Sequence, residues 1–344
     1  MRWKDRPEGS NWGDFGPDDQ IGRLNWLGPE QVRKGAAEIL EGRSFCLSMP
    51  LDYPGGNLLN PARHPPQRFA TRTPDGKDRY LIRAADATGD ADLTDVINDD
   101  RVMIHTQYST QWDALAHVGG LFDADGDGVP EPVFYNGWRG GEHISLTGEC
   151  DDCGGLAASE ATRLGIETIA ETCVQGRAVM IDLHRIHGDA HLDVDMAGVQ
   201  EAMDAQGVTV EKGDMVMFHT GWTGRMLAEQ KNPTHETLHA SCTALEGRDP
   251  ALQEWIRDSG LVALIADNYA VERHPSKSGE GSRPMLPLHE LCLFKLGIPL
   301  GEIWWLGDLA AFFADTGRHA CLLTAPPLRL PGAVGSPATP VATV

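Results

Sequence analysis

His105-Thr-Gln-Tyr-Ser-Thr-Gln-Trp-Asp-Ala-Leu-Ala-His117 is the stretch on which the reading of this chain turns. Its first part continues Arg101-Val-Met-Ile-His-Thr-Gln-Tyr108, which reads as a strand. If residues 105–113 are extended, His105, Gln107, Ser109, Gln111 and Asp113 all point to one face. A helical turn starting between Thr110 and Asp113 sets Asp113 and His117 four apart, again on one side. Carboxylate, carboxamide and imidazole then converge on one small volume, which suits a divalent cation or a base beside one. The plainer reading of the same residues is the wet face of an antiparallel strand. Neighbouring sequence has to arbitrate.

Outward from that segment, Ala178-Val-Met-Ile-Asp-Leu183, Asp214-Met-Val-Met-Phe-His-Thr220 and Leu261-Val-Ala-Leu-Ile-Ala266 are short apolar runs suited to central strands. Helical patterns cover Glu30–Glu41, Ala158–Glu171, Val194–Gln206 and Leu286–Leu296, the last with Pro287 in its first turn and Gly297 as its stop. Strands interleaved with helices give an α/β chain. Residues 1–30 read as an irregular arm packed on the body, 50–100 as a long loop-rich region, and the tail after Pro326 as a segment wrapping the surface or a neighbouring subunit. No internal repeat or linker interrupts the chain. The simplest account is a single domain over 1–344, with an N-terminal region to 100, a core from 101 to 330 and a tail from 331.

The 344 residues are 41% hydrophobic and 23% charged, enough for a sizeable core and too apolar for disorder. With 50 acidic and 29 basic residues the formal charge is −21. Such a chain has no general electrostatic reason to bind nucleic acid or an anionic membrane, and the charge reads as solubility. No apolar run reaches the ~18–20 residues of a membrane span, and the first residues lack the apolar stretch of a signal peptide. The expected location is the cytoplasm, with the seven Cys reduced. Cys150 and Cys153 form a C-x-x-C pair. Without a second pair nearby, it does not argue for zinc or redox chemistry.

Further motifs add up in a fixed order. Gln107-Tyr-Ser-Thr-Gln-Trp-Asp-Ala-Leu-Ala-His117 is similar to the signature H-x-G-T-H-x-D-x-P-x-H of the cyclase/arylformamidase family. Leu164-Gly-Ile-Glu167 precedes the Arg177–Asp182 strand, as the family's helix–strand unit does. Gly213-Asp214 leads into a strand ending in His219-Thr-Gly-Trp222, and Asp267 closes the next one. Pro287-Leu-His289 opens a helix and is followed by Gly301-Glu302, resembling the family's second ligand pair. The likeness runs from about residue 100 to the C-terminus.

What the resemblance implies is a swivelling β/β/α fold, with a central mixed or barrel-like sheet flanked by helices, carrying one or two divalent metals. Members include kynurenine formamidases and isatin hydrolases. Asp113, His289 and Glu302 would be metal ligands, and His117 the general base that prepares the attacking water. Glu302 would fix the ion or steer a proton to the leaving group. The two leading signature histidines fall on Gln107 and Gln111. An amide oxygen is a harder and weaker ligand than imidazole, which disfavours a zinc site of the histidine kind.

Three outcomes stay open at this point. One ion is held by Asp113, His289, Glu302 and Gln111, with Mn²⁺ favoured and Mg²⁺ or Zn²⁺ as alternatives; or His105 replaces a lost ligand; or the site is empty. The corresponding functions are hydrolysis of a small cyclic or formylated amide, lactone or ester, an aldol-type ring closure with His117 as base, and a ligand-binding pseudoenzyme. No G-x-S-x-G elbow is present, which argues against a serine hydrolase. Asp123-Ala-Asp-Gly-Asp-Gly128 imitates the start of a calcium loop, but its twelfth position is Phe134. Tyr135–Trp138 read as an ordinary loop and Trp304-Trp305 as packing residues. The expected partner is a small-molecule substrate, and family practice implies a homodimer or homotetramer.

Overall fold

The structure, a computed structural model, describes residues 2–150, 156–278 and 281–344. Cys153 lies outside the described residues. A nine-stranded mixed sheet organises the chain. Along the sequence its strands are β1 (Ser44–Cys46), β2 (Gln111–Asp113), β3 (Gln175–Asp182), β4 (Met215–His219), β5 (Ala263–Ala266), β6 (Leu300–Glu302), β7 (Ala320–Thr324), β8 (Gly335–Pro337) and β9 (Val341–Thr343). Their spatial order is β1-β9-β7-β3-β4-β5-β6-β2-β8. β3, β4, β5 and β6 run parallel, while β7 joins β3 and β2 joins β6 antiparallel.

Both faces of the parallel part are covered, which explains why its strands read as unbroken apolar runs. Val179, Ile181, Val216, Phe218, Leu264 and Ala266 project into one core. Their alternates Ala178, Met180, Met215, Met217, Ala263 and Ile265 project into the other. The irregular N-terminal arm belongs to the first core: Trp12 is buried and its indole donates to the Phe294 carbonyl at 2.8 Å.

Several local expectations are corrected. The helix over 158–171 is a strand, Leu156–Ala161, followed by the shorter helix Ile166–Glu171. Asp100–Met103 pairs with Gln67–Ala70 in a small exposed ladder, and the chain from 104 to 110 is irregular rather than extended. The loop-rich region also holds the pair Ile82–Arg83 and Val96–Ile97. The tail does not wrap the surface. It supplies β8 and β9 to the main sheet, with Ser336 and Ala342 fully buried. Pro- and Gly-rich sequence hid these strands, since their burial comes from neighbours rather than from their own apolar pattern. Among the described residues no helix is long and apolar enough to cross a membrane.

Asp267, just past β5, shows how the strand ends are locked. One of its oxygens accepts from Thr220 N (2.6 Å) and Thr220 Oγ1 (2.7 Å), the other from Gly221 N (2.9 Å) and Thr223 Oγ1 (3.3 Å). Asp267→Ala strands these donors in a dry interior. The expected loss is about 3 kcal/mol, read as a lower urea midpoint at unchanged slope. A midpoint equal to that of the parent would show that water replaces the carboxylate.

Candidate metal centre

β2 is three residues long because its neighbours on both sides hold it in the sheet. Its register against β6 sets Gln111 opposite Glu302 and Asp113 opposite Leu300, and against β8 it sets Asp113 opposite Gly335. Gln111 and Asp113 lie two apart on one face, so both carboxylates and an amide gather at the same end of the sheet. The indole of Trp304 donates to the Gln111 carbonyl at 3.0 Å and that of Trp112 to the Ala325 carbonyl at 2.7 Å, fixing the strand laterally.

His289 arrives from a different element, the one-turn helix Pro287–His289 that runs into the π-helical turn Glu290–Leu296, stopped by Gly297 at φ 59°. Glu272, fully buried, accepts from the backbone N–H of Leu288 and His289 at 2.9 and 3.0 Å and contacts His289 Nδ1 at 2.9 Å. That leaves His289 Nε2 aimed at the carboxylates, 3.2 Å from Glu302 Oε1 and 4.0 Å from Asp113 Oδ2. Burial on its own lowers the imidazole's pKa, but Glu272 and Glu302 outweigh it and hold the group up at about 10. A proton on His289 thus supplies the positive charge that the two carboxylates demand.

Asp113, His289 and Glu302 each offer an atom within 4.8 Å of the others, and all three are buried. Among the described residues, Asp113 Oδ2 and Gln111 Oε1 have no hydrogen-bond partner, and Glu302 Oε1 faces only His289 Nε2. Orphaned buried oxygens in one cluster need a ligand to explain them. Three oxygens and one imidazole nitrogen, with no thiolate, match a divalent ion of Mn²⁺ or Mg²⁺ type in hardness. The residues present fit such an ion.

Gln107 reaches the same place through the irregular segment, by a turn in which Tyr108 N donates to the His105 carbonyl. Its amide nitrogen, not its oxygen, faces the cluster: Nε2 lies 3.0 Å from Asp113 Oδ1 and 2.8 Å from His117 Nδ1. His117 Nε2 is 3.9 Å from Asp113 Oδ1, and its side chain keeps 21% exposure where Asp113 keeps 1%. Burial pushes the pKa of the His117 imidazole down. His105 stays outside the cluster with its ring 5.6 Å from that of His64.

Gln107, Gln111, Asp113, His117, His289 and Glu302 are therefore all brought together, and His105 is not. What sequence reading missed is Glu272. It lies in no motif, and its role exists only because the loop after β5 passes beneath the Pro287 turn.

The matches to known proteins agree with this geometry. The family model named Cyclase covers residues 47–273.

The chain belongs to the Cyclase family.

A crystal structure of a novel cyclase is 30% identical, with 97% of each chain covered and a TM-score of 0.73. Two isatin hydrolases share the fold. The A enzyme of Labrenzia aggregata, bound to benzyl benzoate, is 14% identical, with 88% of this chain and 93% of that one covered, at a TM-score of 0.54. The A enzyme of Ralstonia solanacearum is 15% identical, with 87% and 91% covered, at 0.54. No curated protein matches the chain. In the Asp123 turn of this cyclase-family chain, Asp123, Asp125 and Glu131 also bring carboxylate oxygens within 4.8 Å of one another, at partly exposed positions. Asp123 accepts from its own loop's N–H groups at Gly126 and Gly128, both 2.8 Å, and Arg139 pairs with Glu131 and Asp125. Tyr135 and Asn136 are fully buried, and Trp304 packs edge-on against Trp112 at 5.0 Å.

Proposed function

We propose that this chain is a metal-dependent hydrolase acting on a small cyclic or formylated amide, a lactone or an ester. The observation that carries the reading is the buried cluster of Asp113, His289 and Glu302, with the oxygens Asp113 Oδ2 and Gln111 Oε1 left without partners beside it. Shared fold with the isatin hydrolases supports the substrate class.

Asp113, His289, Glu302 and the Gln111 amide oxygen would hold the ion. When bound, a divalent ion lowers the pKa of a water and polarises a substrate carbonyl. Everything else falls to the chain's own side chains. Glu272 fixes the His289 ring so that Nε2 alone points inward. His117, whose side chain is more exposed than that of Asp113, would take the proton of the attacking water. Glu302 would either hold the ion or pass on, to the leaving nitrogen or oxygen, the proton that His117 takes from the water. No Ser or Cys nucleophile is needed.

The test uses full-length protein stripped with a chelator and then reloaded with Mn²⁺, Mg²⁺ or Zn²⁺. Uptake of one ion per chain is expected, with a stability gain of about 2.7 kcal/mol once the free ion is a hundredfold above Kd. Hydrolysis of formanilides, lactones or aryl esters should return with the ion. Stripped protein that takes up none of the three, and does not melt later in their presence, would overturn the reading.

A further inference from the structure

Asp182 and His219 close the adjacent parallel strands β3 and β4, and the hydrolysis proposed above makes no use of them. Along these strands Ile181 and Phe218 point into the first core, Met180 and Met217 into the second, so Asp182 and His219 share the second core's face. Trp112 also points into the second core, which puts Gln111 and Asp113 on the other face. The pair therefore lies across the sheet from the metal centre. His219 spends Nδ1 on Asp182 Oδ1 at 2.8 Å, and among the described residues nothing bonds its Nε2. The side chain is 10% exposed, and it lines a cleft of about 400 Å³. Burial by itself lowers the pKa of the ring, but Asp182 and Asp267 outweigh it and raise it, which favours a proton on Nε2.

Another side of the same cleft is the start of the helix Gly307–Thr316, which has no side-chain cap. Ala310 is its first residue to find a carbonyl, that of Leu306 at 2.9 Å. Among the described residues the N–H groups of Gly307, Asp308 and Leu309 have no protein acceptor, and the helix dipole adds partial positive charge there. The rest of the lining is largely apolar, with Trp305, Ala311 and Ala314. A Cβ on Gly307 would stand 2.6 Å from the Trp305 ring, so glycine there lets the indole lie against the helix start. Of the nearby acids, Asp182 is paired with His219, and Asp189 with His184 and Arg225. Asp308 is the lining carboxylate without a cation among the described residues. It is exposed, and it accepts from the Trp305 indole at 2.8 Å.

We propose that this cleft is a second binding site, taking a small aromatic carboxylate whose oxygens meet His219 Nε2 and the N–H groups at the helix start while its ring lies against Trp305. The cleft is of the size that small ligands occupy, and its pairing of an apolar wall with a few convergent donors is what such sites show. Its place outside the carboxyl ends of parallel strands is also where open α/β sheets bind ligands. A helix start alone would not make a site; the buried imidazole aimed into the same space is the independent donor. The site stands whether or not the metal reading holds.

Benzoate is the probe, added to full-length protein carrying ¹⁵N-labelled histidine, with calorimetry in parallel and His219→Asn assigning the His219 ring. Binding is expected to shift the His219 ring signals. Acetate, which lacks the ring, and benzamide, which lacks the charge, should each bind about tenfold or more weakly than benzoate. Two variants at exposed positions probe the walls: Asp308→Asn removes the adverse charge and should tighten benzoate severalfold, and Ala311→Trp fills the cleft and should weaken it by about tenfold or more. Benzoate that fails to bind, or that moves the His117 or His289 ring and leaves His219 unmoved, overturns the proposal. Benzamide binding as tightly as benzoate overturns it too. Should His219→Asn not fold, the calorimetry on the two exposed variants decides: benzoate affinity unchanged in both would overturn the site.

Discussion

Replacing Asp113 and Glu302 together by alanine is expected to abolish ion uptake and to lower hydrolysis by roughly three orders of magnitude or more. Without them the cluster retains one imidazole, His289 Nε2, and one amide oxygen, Gln111 Oε1. One neutral amide and one imidazole, which must give up its proton before it can bind, cannot offset the dehydration of a hard divalent cation. The fold should survive, because Asp113 contributes an oxygen that no group of the protein satisfies and both carboxylates are held in a dry site. Buried charges of that kind are often a net cost to stability. The expected signature is thus a protein that unfolds cooperatively, shows no thermal gain from Mn²⁺ or Mg²⁺, and is inactive. Elemental analysis, melting with and without ion, and turnover on a formanilide measure the three parts. A double variant that still takes up one ion per chain would move the site elsewhere in the molecule.

The largest stability effect is expected at Glu272. Glu272→Ala removes the acceptor of two backbone N–H groups and of the His289 ring, all inside the core. In the ion-free protein Glu272 and Glu302 raise the pKa of His289, so the alanine variant also leaves its protonated ring with Glu302 as main partner. Breaking a buried ion pair from one side costs about 3–5 kcal/mol, and the urea midpoint should fall accordingly. The milder Glu272→Gln keeps an oxygen for the backbone but weakens the grip on the ring. Outer partners of this kind are worth about 10–100-fold in ion affinity, measurable by calorimetry. A glutamine variant with parental affinity would show that the helix turn alone orients His289.

Much of this architecture was legible in the chain. The apolar runs at 178–183, 214–220 and 261–266 became β3, β4 and β5, because a strand buried on both faces must be apolar throughout. Pro287 and Gly297 bounded their helical segment for local reasons of backbone conformation. Asp113, His117, His289 and Glu302 stood out by the order of their motifs. By contrast, residues 105–110 did not form the expected strand, since polar alternation describes a pattern and not a hydrogen-bonding neighbour. The strands at 335–337 and 341–343 carry little pattern of their own, because the first is held at the sheet's edge and the second between β1 and β7 by the neighbours they join.

The amino-acid sequence by itself therefore determined the class of fold, its central strands and the identity of the residues with chemistry to offer. Only the tertiary structure decided how those residues face one another. That Gln107 turns its nitrogen inward, that Gln111 sits opposite Glu302, and that Glu272 holds His289 are contacts between residues distant in sequence. Local propensity acts over a few residues. Donor direction and orphaned oxygens depend on which atoms lie within about 3 Å, and that is fixed only when the elements pack.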